Sequence, residues 1–271
     1  MSTTETGGRR GGWPGRLAWL ALIVAVLAAA AAAVAGPGYQ AKWWDLGTAL
    51  GVMIRYAGYG ALGAGVLGLL LFLVFLIRGP GRLLVPSLLA FLISGGLLAV
   101  LIPQLVMVRE VPVFSELLDQ KPVPPIHDIT TDTEDPPQFR AILKARASDW
   151  MTKNPPEYDP AQGEKQKAFE GYSDIEPAYF DAPPEAIFDR ALKVAKTNGW
   201  SIISRDREAG IIEASHTSQW FGFTDDIVIR IRKTEDGRTR LDMRSKSRIG
   251  TSDVGMNAER IRRFMKQMEG E

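Results

Sequence analysis

Three long uncharged stretches limit what this chain can fold into more than any other feature of its sequence. Residues 17–35, 56–77 and 83–108 contain no charged side chain and comprise 19, 22 and 26 residues. About 20 apolar residues cross the hydrocarbon core of a bilayer as a helix. A core helix of a soluble protein would carry a polar face, and none of the three stretches does. We therefore predict three transmembrane helices within a membrane domain of residues 1–109.

Basic residues near these stretches predict their orientation. Five arginines lie before the first stretch or between the second and third, namely Arg9, Arg10, Arg16, Arg78 and Arg82. The opposite side has Lys42 and Arg109. Because short cytoplasmic loops are enriched in Lys and Arg, we expect a cytoplasmic N-terminus in a multi-pass cell membrane protein. Three crossings then leave the remainder of the chain outside the cytoplasm, in a periplasmic position.

Cleavage of the first stretch as a signal peptide remains an open alternative. The small residues Ala33, Val34 and Ala35 precede Gly36 in the pattern of a cleavage site, although the stretch is longer than a typical signal core. The predicted topology is the same in both cases. A cleaved chain would begin outside, and its two remaining crossings would return the C-terminal part to that side.

The remainder of the chain has the composition of a globular domain. Residues 1–109 carry 8 Lys and Arg against 2 Asp and Glu, whereas residues 110–271 carry 24 against 29, a mixture compatible with one soluble core. The chain has no cysteine, which excludes a disulfide-rich fold, thiol catalysis and thiolate metal sites. Four prolines within residues 110–125 predict an extended linker. We therefore place an extracytoplasmic domain at residues 126–271.

The pattern of the C-terminal part predicts an α+β fold. A helix begins at Pro183-Pro184 and ends at Asn198-Gly199. Four strands follow, at residues 200–205, 210–219, 227–233 and 238–249, and their short connections favour antiparallel pairing. Asp253 is the predicted cap of a final helix, and a short helix is predicted at residues 139–147. We expect a mainly antiparallel four-stranded sheet flanked by helices.

Alternation along the last two strands separates an apolar face from a basic face. The apolar side chains are Ile227, Ile229, Ile231, Leu241 and Met243, and the opposite face carries Arg230, Arg232, Arg240, Asp242, Arg244, Lys246 and Arg248. Two interpretations of the basic face are open. Arg230, Arg244, Lys246 and Arg248 bind an anionic ligand, lipid headgroup or partner protein, or the acidic middle of the chain folds across the face and neutralises it. The second needs no ligand, since rows of charged side chains are common on sheets.

Three aromatic residues lie at one strand connection. Trp220, Phe221 and Phe223 are large apolar groups in a turn, where something must cover them. They close the core, line a pocket or contact the bilayer. Core closure is the simplest of the three interpretations.

The polar segment before the C-terminal fold offers the other candidate site. His127, Asp128, Asp132 and Asp135 combine an imidazole with carboxylates, which is the composition of a divalent-metal site or of an oriented general base. In an extended segment, however, His127 and Asp128 point to opposite faces. The simpler interpretation is a polar loop whose Asp and Thr side chains bond to nearby backbone amides.

Many short motifs of the C-terminal part resemble one known family. They comprise residues 127–132, Pro136-Pro137 and Phe139, then Tyr172, Asp174-Ile175 and Pro177, then Gly199-Trp200, residues 210–214, residues 221–223 and Asp225-Asp226, and finally residues 244–248, Gly250, Ser252-Asp253 and Asn257. Together they resemble the family called domain of unknown function 1499, over about residues 122–268. The resemblance implies a membrane-associated or exported domain of bacteria and plastids. It implies no catalytic residue, because the family has no established activity. The three predicted helices differ from many members of the family, which argues against a soluble or lipoprotein-like protein.

These observations predict a membrane-anchored, non-enzymatic envelope protein that binds or scaffolds through its extracytoplasmic domain. We expect its helices to lie in the lipid bilayer and its domain to bind an anionic ligand or an envelope protein. No cofactor and no nucleic acid are expected to bind. One alternative is a metal-assisted hydrolase that uses His127 and the neighbouring carboxylates. Another is that the membrane helices carry the function and the domain regulates them.

Overall fold

The structure is a computed structural model that describes residues 12–78, 81–107 and 123–270. Two compact units divide the chain, Met1–Leu105 and Val106–Glu271. Most of the predicted linker, residues 110–122, lies outside the described residues, and so does the predicted domain boundary at residue 109.

Three long helices form the first unit. They are α1 (Trp13–Gln40), α2 (Arg55–Arg78) and α3 (Leu84–Met107), with a π-helical segment, Gly47–Ile54, before α2 and a 3-10 turn, Gly81–Leu83, before α3. Within the described part of the chain, three segments are long and apolar enough to cross a membrane, namely Trp13–Gln40, Gly47–Arg78 and Gly81–Ile102. Each predicted stretch falls on one of the helices α1 to α3, apart from Leu83 in the 3-10 turn and residue 108, which is not described.

Small residues bring these helices together. A stripe along α1 is fully or almost fully buried and consists of Ala18, Ala21, Ala25, Ala28, Ala32 and Ala35. A Cβ atom at Gly68 of α2 would lie 2.9 Å from the backbone of both Ser87 and Phe91 in α3. Glycine at this position therefore allows the two helix backbones to approach closely, as small residues do in membrane helix pairs.

A six-stranded antiparallel sheet organises the second unit. Its strands are β1 (Asp128–Thr130), β2 (Ala178–Phe180), β3 (Ser201–Asp206), β4 (Ile211–Thr217), β5 (Thr224–Lys233) and β6 (Thr239–Ser247). Their order is β1-β6-β5-β4-β3, and β2 pairs with the first half of β6 while β1 pairs with its second half. The four predicted strands correspond to β3 to β6. The prediction of four strands in all is wrong, because β1 and β2 have three residues each and are too short for alternation to reveal.

Two helices cover the apolar face of the sheet. They are α6 (Pro184–Thr197) and α7 (Met256–Glu269), which confirms the helix predicted from Pro183-Pro184 onward. The core includes Ile187 and Phe188 of α6, Ile261 and Phe264 of α7, and Ile229 of the sheet. Before α7, the carboxylate of Asp253 accepts the N–H groups of Gly255 and Asn257 at 2.9 and 2.7 Å. All members of this core cluster come from residues 126–268, so the second unit has a hydrophobic core of its own.

The opposite face of the sheet is the charged one, and a long irregular segment lies across it. We call residues 131–159 the cover segment. It contains α4 (Leu143–Ser148), near the short helix predicted at residues 139–147, and α5 (Pro160–Ala168) follows it. The charged side chains of this face therefore lie between the sheet and the cover segment.

Candidate functional site

A single carboxylate of the sheet holds the start of the cover segment. Glu213 of β4 accepts three consecutive backbone N–H groups, those of Arg140, Ala141 and Ile142, at 2.7, 3.1 and 2.6 Å. Beside this contact, Phe139 and Ile142 pack on Val228 of β5. The polar contact fixes the backbone of the segment while the two apolar side chains exclude water from the face.

Arg244 is the most enclosed cation of the protein's charged face. Its guanidinium donates two hydrogen bonds to Asp128 at 2.8 and 2.7 Å, and neither side chain is exposed to solvent. The rings of Phe139 and Tyr158 lie 4.7 and 5.2 Å from the guanidinium carbon. The backbone oxygens of Pro137 and Pro156 accept further hydrogen bonds from Arg244 at 3.2 and 3.1 Å. Planar stacking and a forked hydrogen-bond pattern are properties of Arg that Lys does not share.

Lys246 shares the carboxylate of Asp128 with Arg244. Its Nζ lies 3.0 Å from Asp128 and donates to the backbone oxygen of Glu157 at 2.6 Å. Burial lowers the pKa of Lys246 below its usual value, in spite of the neighbouring carboxylate. Two buried cations therefore depend on one carboxylate for their neutralisation.

Arg248 belongs to a second buried cluster. It donates hydrogen bonds to Asp226 at 2.8 to 3.1 Å and to Asp149 of the cover segment at 2.9 Å. Arg146 of α4 also pairs with Asp226 and donates to the backbone oxygen of Asn154 at 2.6 Å. The two arginines and two aspartates balance in charge.

Three of the four cations predicted to contact an anion are thus engaged inside the domain. Arg244 and Lys246 are 0 and 1% exposed, and Arg248 is 5% exposed. Their expected placement on an accessible face differs from the structure, because carboxylates and carbonyls from residues 128–159 bind all three, and Asp226 also binds Arg248. No external ligand reaches these three side chains while the cover segment is in place.

The charged face remains open at one corner. We call the open corner the cluster of three arginines from β5 and β6 and three aspartates, namely Arg230, Arg232, Arg240, Asp132, Asp135 and Asp242. The arginine side chains are 16, 40 and 22% exposed, in that order. Asp242 is fully buried among them and lies 3.0 Å from Arg230, 3.3 Å from Arg232 and 2.8 Å from Arg240. Arg230 is the one predicted anion contact that solvent reaches to this extent.

Asp135 is the most exposed member of the open corner. Its side chain is 64% exposed and lies 3.1 Å from Arg230 and 3.0 Å from Arg232. The hydrogen bond from Arg232 is the main reason that the pKa of Asp135 lies below its usual value. Exposed ion pairs contribute little to stability, so this carboxylate is the easiest to displace.

A cleft adjoins the open corner. It has a volume of about 420 Å³ and lies between the loop after β1, the end of α5 and the residues before β2. Asp132 and Arg240 belong both to the cleft and to the open corner. Thr131, Thr133 and Ser173 also line the cleft, so part of its wall consists of polar residues.

The alternative polar site is dispersed rather than assembled. Asp128 pairs with Arg244 and Lys246, whereas Asp132 and Asp135 pair with the open corner. The imidazole of His127 lies against Gln162, with 3.3 Å between Nε2 and Nε2, and burial is the main cause that lowers its pKa. Among the described residues, no group of three or more His, Asp or Glu side chains is arranged to hold a metal ion.

The aromatic connection both closes on itself and reaches the surface. Phe221 is buried, and its ring centroid lies 5.0 Å from that of Trp220 and 5.1 Å from that of Phe223. Trp220 and Phe223 are half-buried. Phe221 is thus buried while part of the Trp220 and Phe223 rings is exposed, and the three interpretations of this connection stay predictions.

Sequence reasoning did not single out several residues that shape this region. Gln162 and Gln166 of α5 bond to the free edge of β1, where their side-chain oxygens accept the N–H groups of His127 and Thr130 at 3.0 and 3.1 Å. Arg232 and Arg240 were placed on the basic face but not proposed as contacts. Alternation along β5 and β6 was the signal that could have identified these two arginines.

Comparison with known proteins identifies one family. A family model described as "Protein of unknown function (DUF1499)" matches residues 128–268, close to the range expected from the sequence motifs. No curated protein matches the chain. The match covers the domain that contains the open corner and leaves out the three long helices.

Asp128 provides the first test of this arrangement. In a domain of residues 123–271, Asp128→Asn should lower the free energy of unfolding by about 3–5 kcal/mol, because it leaves two buried cations without their carboxylate. Urea unfolding followed by circular dichroism measures the change. Asp236→Asn is the matched control, since it removes an exposed carboxylate that pairs with Arg238, and it should change stability little. A variant at Asp128 as stable as this control would contradict the assignment.

The pH dependence of stability provides a second test. Burial raises the pKa of Asp253 to about 6 in the folded domain, from 3.8. Ionisation of Asp253 therefore lowers the stability of the fold as the pH rises from about 4 to above 6. Asp253→Asn removes the ionisable group and with it this loss, and its single amide oxygen keeps one of the two hydrogen bonds that Asp253 accepts from Gly255 and Asn257. The unfolding free energy of the variant, relative to the wild type, should increase across this range by on the order of 3 kcal/mol. A difference that is independent of pH would refute the assigned pKa.

Proposed function

Since the chain belongs to the DUF1499 family of proteins of unknown function, we propose a function from the geometry of its own domain. We propose that it is a membrane-anchored, non-enzymatic binding protein of the cell envelope. Its domain recognises an anionic group of a ligand, a lipid headgroup or a partner protein at the open corner. The helices hold this domain at the membrane surface.

The proposal depends on one observation. Among the described residues of the charged face, the arginines that form ion pairs are exposed to solvent only at the open corner. Arg230 and Arg232 both contact Asp135, which is largely exposed. A phosphate or carboxylate group of a ligand can replace the Asp135 carboxylate and receive the same two guanidinium groups. Arginine suits such an exchange because its fork of donors matches both kinds of anion.

Charge balance favours an anionic ligand. The open corner contains three arginines and three aspartates, so displacement of Asp135 leaves one excess positive charge. The buried Asp242 keeps the arginines in place during this exchange, at 3.0 Å from Arg230 and 3.3 Å from Arg232. The adjoining cleft of about 420 Å³ supplies hydroxyl groups for the remainder of a polar ligand.

The buried cations of the face have a supporting role in this proposal. Arg244, Lys246 and Arg248 attach the cover segment to the sheet through hydrogen bonds to the backbone oxygens of Pro137, Pro156 and Glu157 and to the carboxylate of Asp149. The same segment supplies Asp132 and Asp135 to the open corner. Three of the four anion contacts predicted from the sequence, Arg244, Lys246 and Arg248, therefore position the ligand site without touching the ligand.

The orientation in the membrane is part of the proposal. The five arginines before the first helix and between the second and third favour a cytoplasmic N-terminus, against Lys42 and Arg109 on the other side. Three helices able to cross a membrane would then leave the DUF1499 domain outside the cytoplasm. An extracytoplasmic position gives the open corner access to envelope components.

Phosphate binding tests the open corner. Inorganic phosphate added to the domain of residues 123–271 should shift the side-chain Nε–Hε NMR signals of Arg230 and Arg232. Asp135→Asn should bind phosphate more tightly than the wild type, because the competing carboxylate is removed, and Arg232→Gln should bind it more weakly. Asp236→Asn, which alters the separate pair with Arg238, should bind like the wild type. Equal affinities for all four proteins, or no shift with any, would refute the site.

A reporter fusion tests the orientation. An enzyme that is active only in the cytosol, fused after Glu271, should be inactive in cells, while the same enzyme fused between α2 and α3 should be active. The second fusion controls for expression and insertion. Activity of the C-terminal fusion would overturn the extracytoplasmic placement.

A further inference from the structure

Four connecting segments of the domain meet at one end of the sheet. β1 and β5 begin there, and β4 and β6 end there, as the pairing of Asp128 with Lys246 and of Thr217 with Thr224 requires. Backbone hydrogen bonds tie these connections together, since the N–H groups of Ser247 and Arg248 donate to His127 and Thr224 at 2.8 and 3.0 Å. We call this surface the entry end, formed by residues 123–127, 149–154, 218–223 and 248–256.

The entry end exposes large apolar side chains. Trp150 and Met256 are 42 and 51% exposed, and the half-buried Trp220 and Phe223 lie on Phe221. Lys153 adds an exposed cation. Tryptophan rings favour the headgroup region of a bilayer, where one side of the ring is apolar and the N–H is hydrated.

The opposite end of the sheet has a different character. Its two turns, at residues 206–210 and 233–238, expose charged side chains, among them Arg207, Glu208, Glu235 and Asp236. The open corner lies toward that end, because Arg230 and Arg232 are opposite Asp242 and Arg240 near the turn between β5 and β6. The exposed apolar side chains and the proposed ligand site therefore lie toward opposite ends of the strands.

The course of the chain indicates what the entry end meets. The chain that leaves the last long helix at Met107 joins the domain at Val123, which belongs to the entry end. The 15 residues between them span at most about 55 Å when fully extended. A bilayer that contains the helices is therefore always within reach of this end, and tethering makes even weak contacts effective.

We propose that the entry end is a membrane-docking surface, in which Trp150, Trp220 and Met256 enter the headgroup region of the bilayer and Lys153 contacts lipid phosphate. Docking by this end leaves the open corner directed toward the surrounding solution. The inference stands apart from the proposed ligand site, since it rests on other residues at the other end of the sheet.

Site-directed spin labelling tests the docking surface in the full chain. The protein has no cysteine, so a single introduced cysteine receives the only nitroxide. Gln219→Cys and Met256→Cys place labels on the entry end, and Glu235→Cys places a control label in the turn between β5 and β6. In nanodiscs of phosphatidylethanolamine and phosphatidylglycerol, labels at 219 and 256 should collide more with oxygen and less with a water-soluble nickel chelate than the label at 235.

Two results would overturn the proposal. Labels at 219 and 256 that are as accessible to the nickel chelate as the label at 235 would show an entry end in water. Labels protected from both oxygen and the chelate would show a protein contact, with a second copy or another partner, instead of lipid. Neither result depends on phosphate binding at the open corner, so the two proposals fail separately.

Removal of the aromatic groups provides the matched comparison. In the Met256→Cys background, Trp150→Ser together with Trp220→Ser should raise nickel accessibility to the level of the label at 235. Tyr179→Ser removes another exposed aromatic ring, on β2, and should leave the accessibility unchanged. The same two serine substitutions in the Glu235→Cys background should leave the label spectrum at position 235 unaltered, which shows that the domain remains folded. Unchanged accessibility at 256 in the folded double variant would refute docking through these tryptophans.

Discussion

The buried ion pair of Asp128 and Arg244 is the interaction on which the second unit depends. It joins the edge strand β1 to β6 by a forked contact at 2.7 and 2.8 Å with no solvent access. A buried charge is costly unless it is paired and its remaining donors are bonded. The backbone oxygens of Pro137 and Pro156 accept hydrogen bonds from the Arg244 guanidinium, and the rings of Phe139 and Tyr158 pack against it. These contacts of one side chain therefore position both ends of the cover segment.

A charged sheet face thereby becomes part of the interior. The helices α6 and α7 cover the apolar face in the usual way, whereas the other face is covered through carboxylates, carbonyls and backbone N–H groups. Such contacts are directional and must be satisfied individually. The face remains open where the cover segment supplies Asp132 and the exposed Asp135, and this limit of the cover defines the corner that we propose as the binding site.

The sequence predicted the elements more reliably than their pairing. The three apolar stretches, the helix from Pro184 and the strands β3 to β6 follow from composition and alternation, which are local properties. The strands β1 and β2 were missed, because three residues show no alternation and their partner β6 is more than 50 residues away along the chain. In the candidate site, alternation along the strands predicted the basic face. The burial of Arg244 and Lys246 depends on Asp128, which precedes Arg244 by 116 residues in the sequence.

The amino-acid sequence by itself determined three membrane-length helices, an α+β domain after them and one face of its sheet rich in arginine. These features depend on how apolar and charged residues alternate along a short stretch. The apolar side of each helix or strand avoids water and the charged side faces it, however the elements are arranged in the fold. Only the tertiary structure decided which cations are neutralised and which remain accessible. Charge neutralisation acts between atoms about 3 Å apart, and residues that distant along the chain come within this range only when the whole domain has folded.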